Sequence, residues 1–97
     1  MPQNPLFPRF GGNASVLNIT AATVVKAFPG TLWSVSVTTA GSTAGSVHDC
    51  TTTGAAAASN LTYTIPDVVG TYALYFPHAA GIVVTPGTGQ VLSVAFA

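Results

Sequence analysis

Charged residues are scarce in this sequence: among 97 residues they are only Arg9, Lys26, Asp49 and Asp67, and glutamate is absent. Soluble domains ordinarily have about 25% charged residues, whereas this chain has 4%. Charge keeps free proteins apart in solution, and the formal net charge here is zero. We therefore expect a chain that works in contact with other proteins, including copies of itself as a homo-oligomer.

The shortage of basic residues excludes two classes of partner. Neutralising six DNA phosphates takes about six lysine or arginine side chains, and this chain has two. The same shortage excludes a polybasic segment that binds a membrane surface. No stretch approaches the roughly 20 apolar residues of a membrane span. We expect neither a nucleic-acid partner nor a membrane partner.

Cysteine is also nearly absent. Cys50 is the only one, so the fold is not a disulfide scaffold, although an intermolecular bridge stays open. Residues 1–5 lack the basic region and apolar run of a secretory signal. Both absences favour folding in a reducing cytoplasm, with any exit from the cell by a route such as lysis.

What the sequence has is a regular series of short apolar runs. Apolar residues make up 48% of the chain, enough for one core in one domain. From residue 14 onward, β-branched and aromatic runs recur about every ten residues between turn residues. The predicted strands are 15–20, 22–28, 31–39, 44–50, 60–66, 70–76, 80–85 and 90–96. The fold class is therefore all-β: one small antiparallel β-sandwich over 14–97, either immunoglobulin-like or jelly-roll-like.

Two of these strands show clear alternation of apolar and small polar residues. In 31–39, Trp33, Val35 and Val37 alternate with serine and threonine, and 90–96 has a similar pattern. Alternation of this kind is typical of antiparallel sheets with one face on the core. We expect Trp33 in the core and outer faces made of serine, threonine and alanine.

The connections have their own signals. Pro29-Gly30 and Pro86-Gly87 each predict a type II turn in which the glycine has a positive φ. Residues 51–59, rich in alanine, predict a loop with a single helical turn. The chain has a single lysine, Lys26, so most sheet edges lack the charged side chains that usually prevent pairing with another chain. We therefore expect either that the sheets close or that neighbours cover their edges.

The N-terminal segment, residues 1–13, differs from the rest. Prolines alternate with Leu6, Phe7 and Phe10 before a Gly-Gly pair. Proline favours extended chain, and three bulky apolar side chains are unfavourable in water. We expect an extended arm whose three anchors contact a neighbouring subunit; the alternative is a frayed terminus.

No catalytic, metal or cofactor site is predicted. His48 and Cys50 would lie about 7 Å apart on one strand face, too far for direct proton transfer. With Asp49 and His78 they match no zinc spacing. Asp67 follows a proline, where aspartate is ordinary turn chemistry, so a carboxylate pair for glycoside hydrolysis is not indicated. We expect that the protein is not an enzyme.

The aromatic residues raise the question of a sugar-stacking platform. Trp33, Tyr63, Tyr72 and Tyr75 are the candidates. Alternation places Trp33 and Tyr72 on core faces, Tyr72 in line with Leu74 and Phe76. Tyr63 and Tyr75 remain as candidate exposed contacts.

The order of turn glycines and strand residues resembles that of a known group of proteins. The segments that carry it are Gly41-Ser42 with Gly45-Ser46-Val47 and Asp49, Ile65-Pro66 with Gly70, Leu74 and Phe76-Pro77, and Gly81-Ile82-Val83-Val84 with Pro86 to Val91 and Ser93-Val94. Together they resemble small virion-associated proteins of tailed bacteriophages, over residues 14–97 and without the arm. The resemblance carries over no catalytic residue and implies a structural component of the particle.

The most plausible such component is a capsid decoration (cement) protein. It would bridge and stabilise major capsid protein subunits at the capsid surface, after assembly in the host cytoplasm. Two alternatives stay open: a head–tail connector, tail or fibre component, and a β-sandwich module that binds a carbohydrate or the host.

Overall fold

The computed structural model describes residues 14–97, and the predicted arm with Leu6, Phe7 and Phe10 lies outside the described residues. The described part contains eight strands, all of which overlap those predicted from the sequence. They are β1 (Ala14–Ile19), β2 (Thr23–Lys26), β3 (Gly30–Thr39), β4 (Gly45–His48), β5 (Leu61–Ile65), β6 (Gly70–His78), β7 (Ile82–Thr85) and β8 (Val91–Phe96). The alanine-rich loop between β4 and β5 contains two 3-10 turns, Thr53–Ala55 and Ala58–Asn60, where one helical turn was expected.

The strands form two antiparallel four-stranded sheets. The first sheet has the order β1-β8-β3-β6 and the second sheet has the order β2-β7-β4-β5. Strands 1 and 8, 2 and 7, 3 and 6, and 4 and 5 pair, as in one long hairpin rolled onto itself. This is the jelly-roll arrangement. An immunoglobulin-like sandwich would pair β1 with β2, so the strand order decides between the two predicted types and confirms the all-β sandwich.

The core lies between the sheets and consists almost entirely of β-branched residues and leucine. Cross-strand rows supply it: Val16, Val94, Val35 and Tyr72 lie side by side across the first sheet. The fully buried apolar side chains, at 0–1% exposure, are Leu32, Val35, Val37, Val47, Ile65, Ile82, Val83, Val84 and Leu92. Burying each such side chain contributes roughly 1.5–3 kcal/mol relative to exposure.

Trp33 is not in the core, contrary to the expectation from alternation. Leu32 pairs with Phe96 and Ser34 pairs with Ala95, so Trp33 is an extra residue opposite β8. A β-bulge of this kind shifts the alternation by one position. As a result Leu32, rather than Trp33, points into the core together with the buried residues further along β3.

The two Pro-Gly turns use glycine for a different reason from the one expected. Neither Gly30 nor Gly87 has a positive φ. Instead, a Cβ atom would overlap a carbonyl oxygen at each position, that of Ala97 beside Gly30 and that of Thr43 beside Gly87. The positive φ, 76°, belongs to Gly89, in a turn closed by the bond from the Gln90 N–H to the Gly87 carbonyl (3.0 Å).

The sheet edges are protected by irregular pairing rather than by closure. Pairing is interrupted in edge strand β1 between Val16 and Ile19, in β2 before Lys26, and in β6 beside Tyr75. Bulges twist an edge away from regular pairing with another chain. These bulges are a form of edge protection that the sequence did not predict, and coverage of the edges by neighbours stays a prediction.

Candidate interaction surface

The outer face of the first sheet has no charged side chain. One cross-strand row contains Ser15, Ala95, Ser34 and Ala73, and the next contains Ser93, Ser36 and Thr71. The hydroxyl groups of the last two residues share a hydrogen bond of 3.0 Å. The four strands contain no aspartate, glutamate, lysine or arginine. We call this surface, defined by the seven residues of the two rows, the neutral face.

A shallow groove of about 180 Å³ crosses the neutral face. Its lining residues are Ser15, Leu17, Ser34, Ser36, Ser93, Val94 and Ala95. Leu17 is 68% exposed because it lies beside the β1 bulge, where Asn18 has a φ of 54°. In the sequence, Val16 and Leu17 are consecutive apolar residues of one strand, and successive side chains of a strand point to opposite faces. Val16 packs against the core, so Leu17 is on the outer face.

An aromatic pair lies outside the core on the same sheet. The rings of Trp33 and Tyr75 meet edge to face, with centroids 5.2 Å apart and planes at 78°. Tyr75 is 62% exposed and has a φ of 51°, a left-handed conformation that costs a residue with a Cβ about 1–2 kcal/mol. The Trp33 Nε1 atom is buried and has no hydrogen-bond partner among residues 14–97. Such departures from local preference often coincide with functional surfaces.

The other tyrosines are less accessible than Tyr75. Tyr63 was a candidate exposed contact, but it is half-buried and packs against the core. Burial raises the pKa of its hydroxyl, and the neighbouring Tyr72 raises it further. Tyr72 itself packs against the core as expected, whereas Phe76 on the same strand is 44% exposed. Of the two proposed contacts, only Tyr75 presents most of its side chain to solvent.

His48 and Cys50 do not form a nucleophilic pair, because each bonds to a different part of the structure. His48 Nδ1 lies 3.0 Å from the Ala57 carbonyl oxygen and 2.9 Å from Asn60 Oδ1, so it donates to the alanine-rich loop. Its Nε2 faces the hydroxyl of Ser46 at 3.1 Å. The Cys50 thiol is buried and donates to the Thr52 carbonyl oxygen (3.4 Å). The imidazole of His48 and the thiol of Cys50 therefore each hold part of the loop between β4 and β5 in place.

Asp49 fixes the turn between β6 and β7. Its carboxylate accepts the N–H groups of Ala79 (3.0 Å), Ala80 (2.8 Å) and Gly81 (3.2 Å). Burial raises the pKa of this carboxyl group, but the three backbone hydrogen bonds and the electrostatic influence of His78 together lower it below 3.8. The Asp49 carboxylate thus stabilises a turn of its own domain.

Asp67 and Gln90 fix the opposite end of the sandwich. Asp67 Oδ1 accepts the N–H of Gly41 (2.6 Å). Gln90 is 1% exposed, accepts the Gly87 N–H (2.9 Å) and donates to the Pro66 carbonyl oxygen (3.0 Å). Sequence reasoning missed Gln90, because a glutamine next to a turn is ordinarily exposed. Both carboxylates among residues 14–97 are therefore occupied by backbone N–H groups.

Two further kinds of site are absent from the described part of the chain. Residues 14–97 contain no group of three or more histidine, cysteine, aspartate or glutamate side chains placed to hold a metal ion. They also contain no helix with the length and apolar character needed to cross a membrane.

Comparison of the chain with protein-family models, with curated proteins and with solved structures found no match. The features of residues 14–97 that bear on function are therefore the neutral face and the aromatic pair on the same sheet.

Proposed function

We propose that the protein is a capsid decoration (cement) protein of a tailed bacteriophage, which binds and stabilises the major capsid protein through its neutral face. The observation that carries this proposal is a four-stranded outer surface without any charged side chain. Jelly-roll domains occur in viral capsids as well as in lectins. Because a fold alone does not define function, the support comes from the surface.

The neutral face has the properties of a surface that is covered in an assembly. Serine, threonine and alanine lose little side-chain entropy on contact, so a flat protein surface can pack on them at low cost. The exposed Tyr75 and its partner Trp33 add the residue types that most often anchor protein interfaces. A standard interface buries about 800 Å² on each partner, and many weaker contacts on a shell act together through effective concentration.

The proposal is tested by rebinding purified protein to phage particles that lack it. Thr71→Lys adds a charge to the neutral face at an exposed position of edge strand β6, and we expect at least about tenfold weaker binding because the charge must be desolvated. Thr64→Lys is the matched control, because Thr64 is an exposed threonine on edge strand β5 of the second sheet. Equal binding by both variants would contradict a role for the neutral face.

Copy number separates decoration from the other roles in the particle. A copy number comparable to that of the major capsid protein, measured by mass spectrometry of purified particles, is expected for a decoration protein. Only a few copies per particle would instead favour the alternative of a head–tail connector, tail or fibre component.

A carbohydrate- or host-binding module is the second candidate, and the aromatic pair favours it. Tyr75 offers an exposed ring that contacts Trp33, on the same sheet as the neutral face. Binding to a glycan array that is lost in Tyr75→Ala, together with no binding to particles, would support this function over decoration.

A further inference from the structure

A buried histidine joins the two sheets at one end of the sandwich. His78 is 3% exposed and is the last residue of β6, which is an edge strand of the first sheet. Its Nε2 atom lies 3.0 Å from the hydroxyl oxygen of Thr62, in edge strand β5 of the second sheet. The edge strands of the two sheets are therefore linked by a hydrogen bond between side chains. We call this contact the histidine clasp.

Two further hydrogen bonds continue the clasp on either side. His78 Nδ1 lies 3.0 Å from the Phe76 carbonyl oxygen. The Thr62 hydroxyl donates to the Val47 carbonyl oxygen, 3.1 Å away. A carbonyl oxygen can only accept a hydrogen bond, so Nδ1 must carry a hydrogen, and the hydroxyl has a single hydrogen to give. The hydrogens available to these three contacts can therefore be counted.

The count differs between the two protonation states of His78. A neutral ring with its hydrogen on Nδ1 has an acceptor at Nε2, and the Thr62 hydroxyl then has two acceptors for one hydrogen. It can donate to Nε2 or to the Val47 carbonyl oxygen, and the other contact is left without a hydrogen. In an imidazolium, Nε2 donates to Thr62 and the hydroxyl donates to Val47. Only the charged ring forms a hydrogen bond across each of the three contacts.

His48 provides a comparison within the same chain. Its Nδ1 donates to the Ala57 carbonyl oxygen and to Asn60 Oδ1, and its Nε2 faces the Ser46 hydroxyl. Among residues 14–97 this hydroxyl has no second hydrogen-bond partner, so it is able to turn and donate to a neutral ring. The neutral form of His48 thus satisfies all its contacts, whereas the neutral form of His78 leaves one unmade.

Charged groups and burial act on the His78 proton in opposite directions. Burial disfavours an imidazolium, and the ammonium group of Lys26 approaches Gly30, the residue that pairs with His78. The carboxylate of Asp49 favours the charged ring, because it accepts the N–H of Ala79, the next residue in the chain. The other titratable side chains of residues 14–97 bond or pack elsewhere; they are His48, Cys50, Tyr63, Asp67, Tyr72 and Tyr75.

We propose that the histidine clasp is a pH-sensitive link between the two sheets, complete when His78 is protonated and one hydrogen bond poorer when the ring is neutral. The proton stabilises the folded domain, because the unfolded chain does not hold these acceptors in place. By linkage, this stabilisation is present at acid pH and is lost as the pH rises and His78 gives up its proton. The edge strands β5 and β6 are then held together less firmly. The inference concerns the domain itself and is independent of the proposed capsid function.

NMR of the histidine rings in the full-length protein tests the assigned hydrogens. Long-range ¹H–¹⁵N spectra show which ring nitrogen carries hydrogen, and His48→Gln identifies the signals of His78. As the pH is raised from about 5 to about 9, we expect the hydrogen to leave Nε2 of His78 and to remain on Nδ1. A neutral ring with its hydrogen on Nε2 would overturn the proposal, and this measurement on His78 requires no change to the clasp.

A matched pair of substitutions at Thr62 tests the source of the proton's stabilisation. Thr62→Val removes the hydroxyl and keeps the branched shape, whereas Thr62→Ser keeps the hydroxyl. We expect His78 to bind its proton about tenfold more weakly in Thr62→Val, and within about twofold of the wild type in Thr62→Ser. Unchanged proton binding in Thr62→Val, or the same loss in both variants, would overturn the role of the hydroxyl.

Urea unfolding measures the link between the sheets directly. Relative to the wild type, Thr62→Val should lose about five- to tenfold more in the folding equilibrium constant at about pH 5 than at about pH 8. The contribution of His48 is common to both proteins and cancels. A loss that does not change with pH, or one that is larger at the higher pH, would overturn the pH-sensitive link. If Thr62→Val does not fold, the position of the hydrogen on the neutral His78 ring decides the proposal.

Discussion

Asp49 shows how a single carboxylate organises a turn in a domain that has almost no other charge. Three backbone N–H groups of the β6–β7 turn converge on it. The amide of an asparagine at this position would offer one oxygen instead of two and would place an N–H₂ group against backbone donors. The remaining N–H groups would have to find water, which the partly exposed site allows.

This arrangement predicts an acid-dependent loss of stability. Since the folded-state pKa of Asp49 is lowered below 3.8, its contribution is present above that pH and disappears as the pH falls through the folded-state value. Asp49→Asn should lower the free energy of unfolding by about 1 kcal/mol at neutral pH. In urea titrations this difference from the wild type should shrink at pH ~3. A difference that stays constant with pH would contradict the assigned role of the charge.

At the residue scale, sequence reasoning succeeded where the local pattern was regular and failed at the bulges. The serine and threonine of the outer face followed from alternation, and they form the neutral face. Trp33 was assigned to the core because alternation was assumed to run unbroken through β3, and the extra residue opposite β8 reversed the assignment. The left-handed Tyr75 had no sequence signal, because neither glycine nor asparagine stands there.

At the scale of elements, the loop between β3 and β4 and the loop between β7 and β8 form one unit through close backbone contact. A Cβ atom at Gly87 would overlap the carbonyl oxygen of Thr43, in the loop between β3 and β4. Space at this contact is therefore available only to glycine, although the backbone conformation of Gly87 is open to any residue.

A matched pair of glycine substitutions measures this contact. Gly87→Ala should destabilise the domain by about 1–3 kcal/mol, because the two loops must separate to admit the methyl group. Gly54→Ala is the control, since a Cβ atom there has no neighbour within 4 Å. It should be neutral or stabilising by about 0.4–1 kcal/mol, through a less flexible unfolded chain. Equal melting temperatures for the two variants would contradict the close approach of the loops.

The eight strands themselves were predictable from the sequence, but their order was not. Short β-branched runs between turn residues identified each strand. Of the six strand pairs, only β4–β5 joins neighbours in the chain, and the others join strands far apart in sequence. Local patterns contain no information about such pairing, so the immunoglobulin-like and jelly-roll-like types stayed equivalent until the strand order was known.

At the scale of the whole molecule, scarcity of charge predicts how the protein behaves by itself. Residues 14–97 contain only three charged side chains, Lys26, Asp49 and Asp67, so electrostatic repulsion between copies is weak. We expect the purified protein to self-associate, with an association that changes little between low and high salt because ion pairs do not drive it. Sedimentation at increasing concentration checks this. A monomer at every concentration would argue against an assembly role.

The position of β8 within the first sheet has a consequence for biosynthesis. This strand is the last of the eight in chain order, yet it lies between β1 and β3. While a ribosome is still adding residues 91–96, β1 has no partner in its own sheet, and the apolar sides of the strands already made stay uncovered. Nascent chains with such delayed long-range pairing are prone to premature aggregation. Completion of the jelly roll therefore waits until β8 has been synthesised.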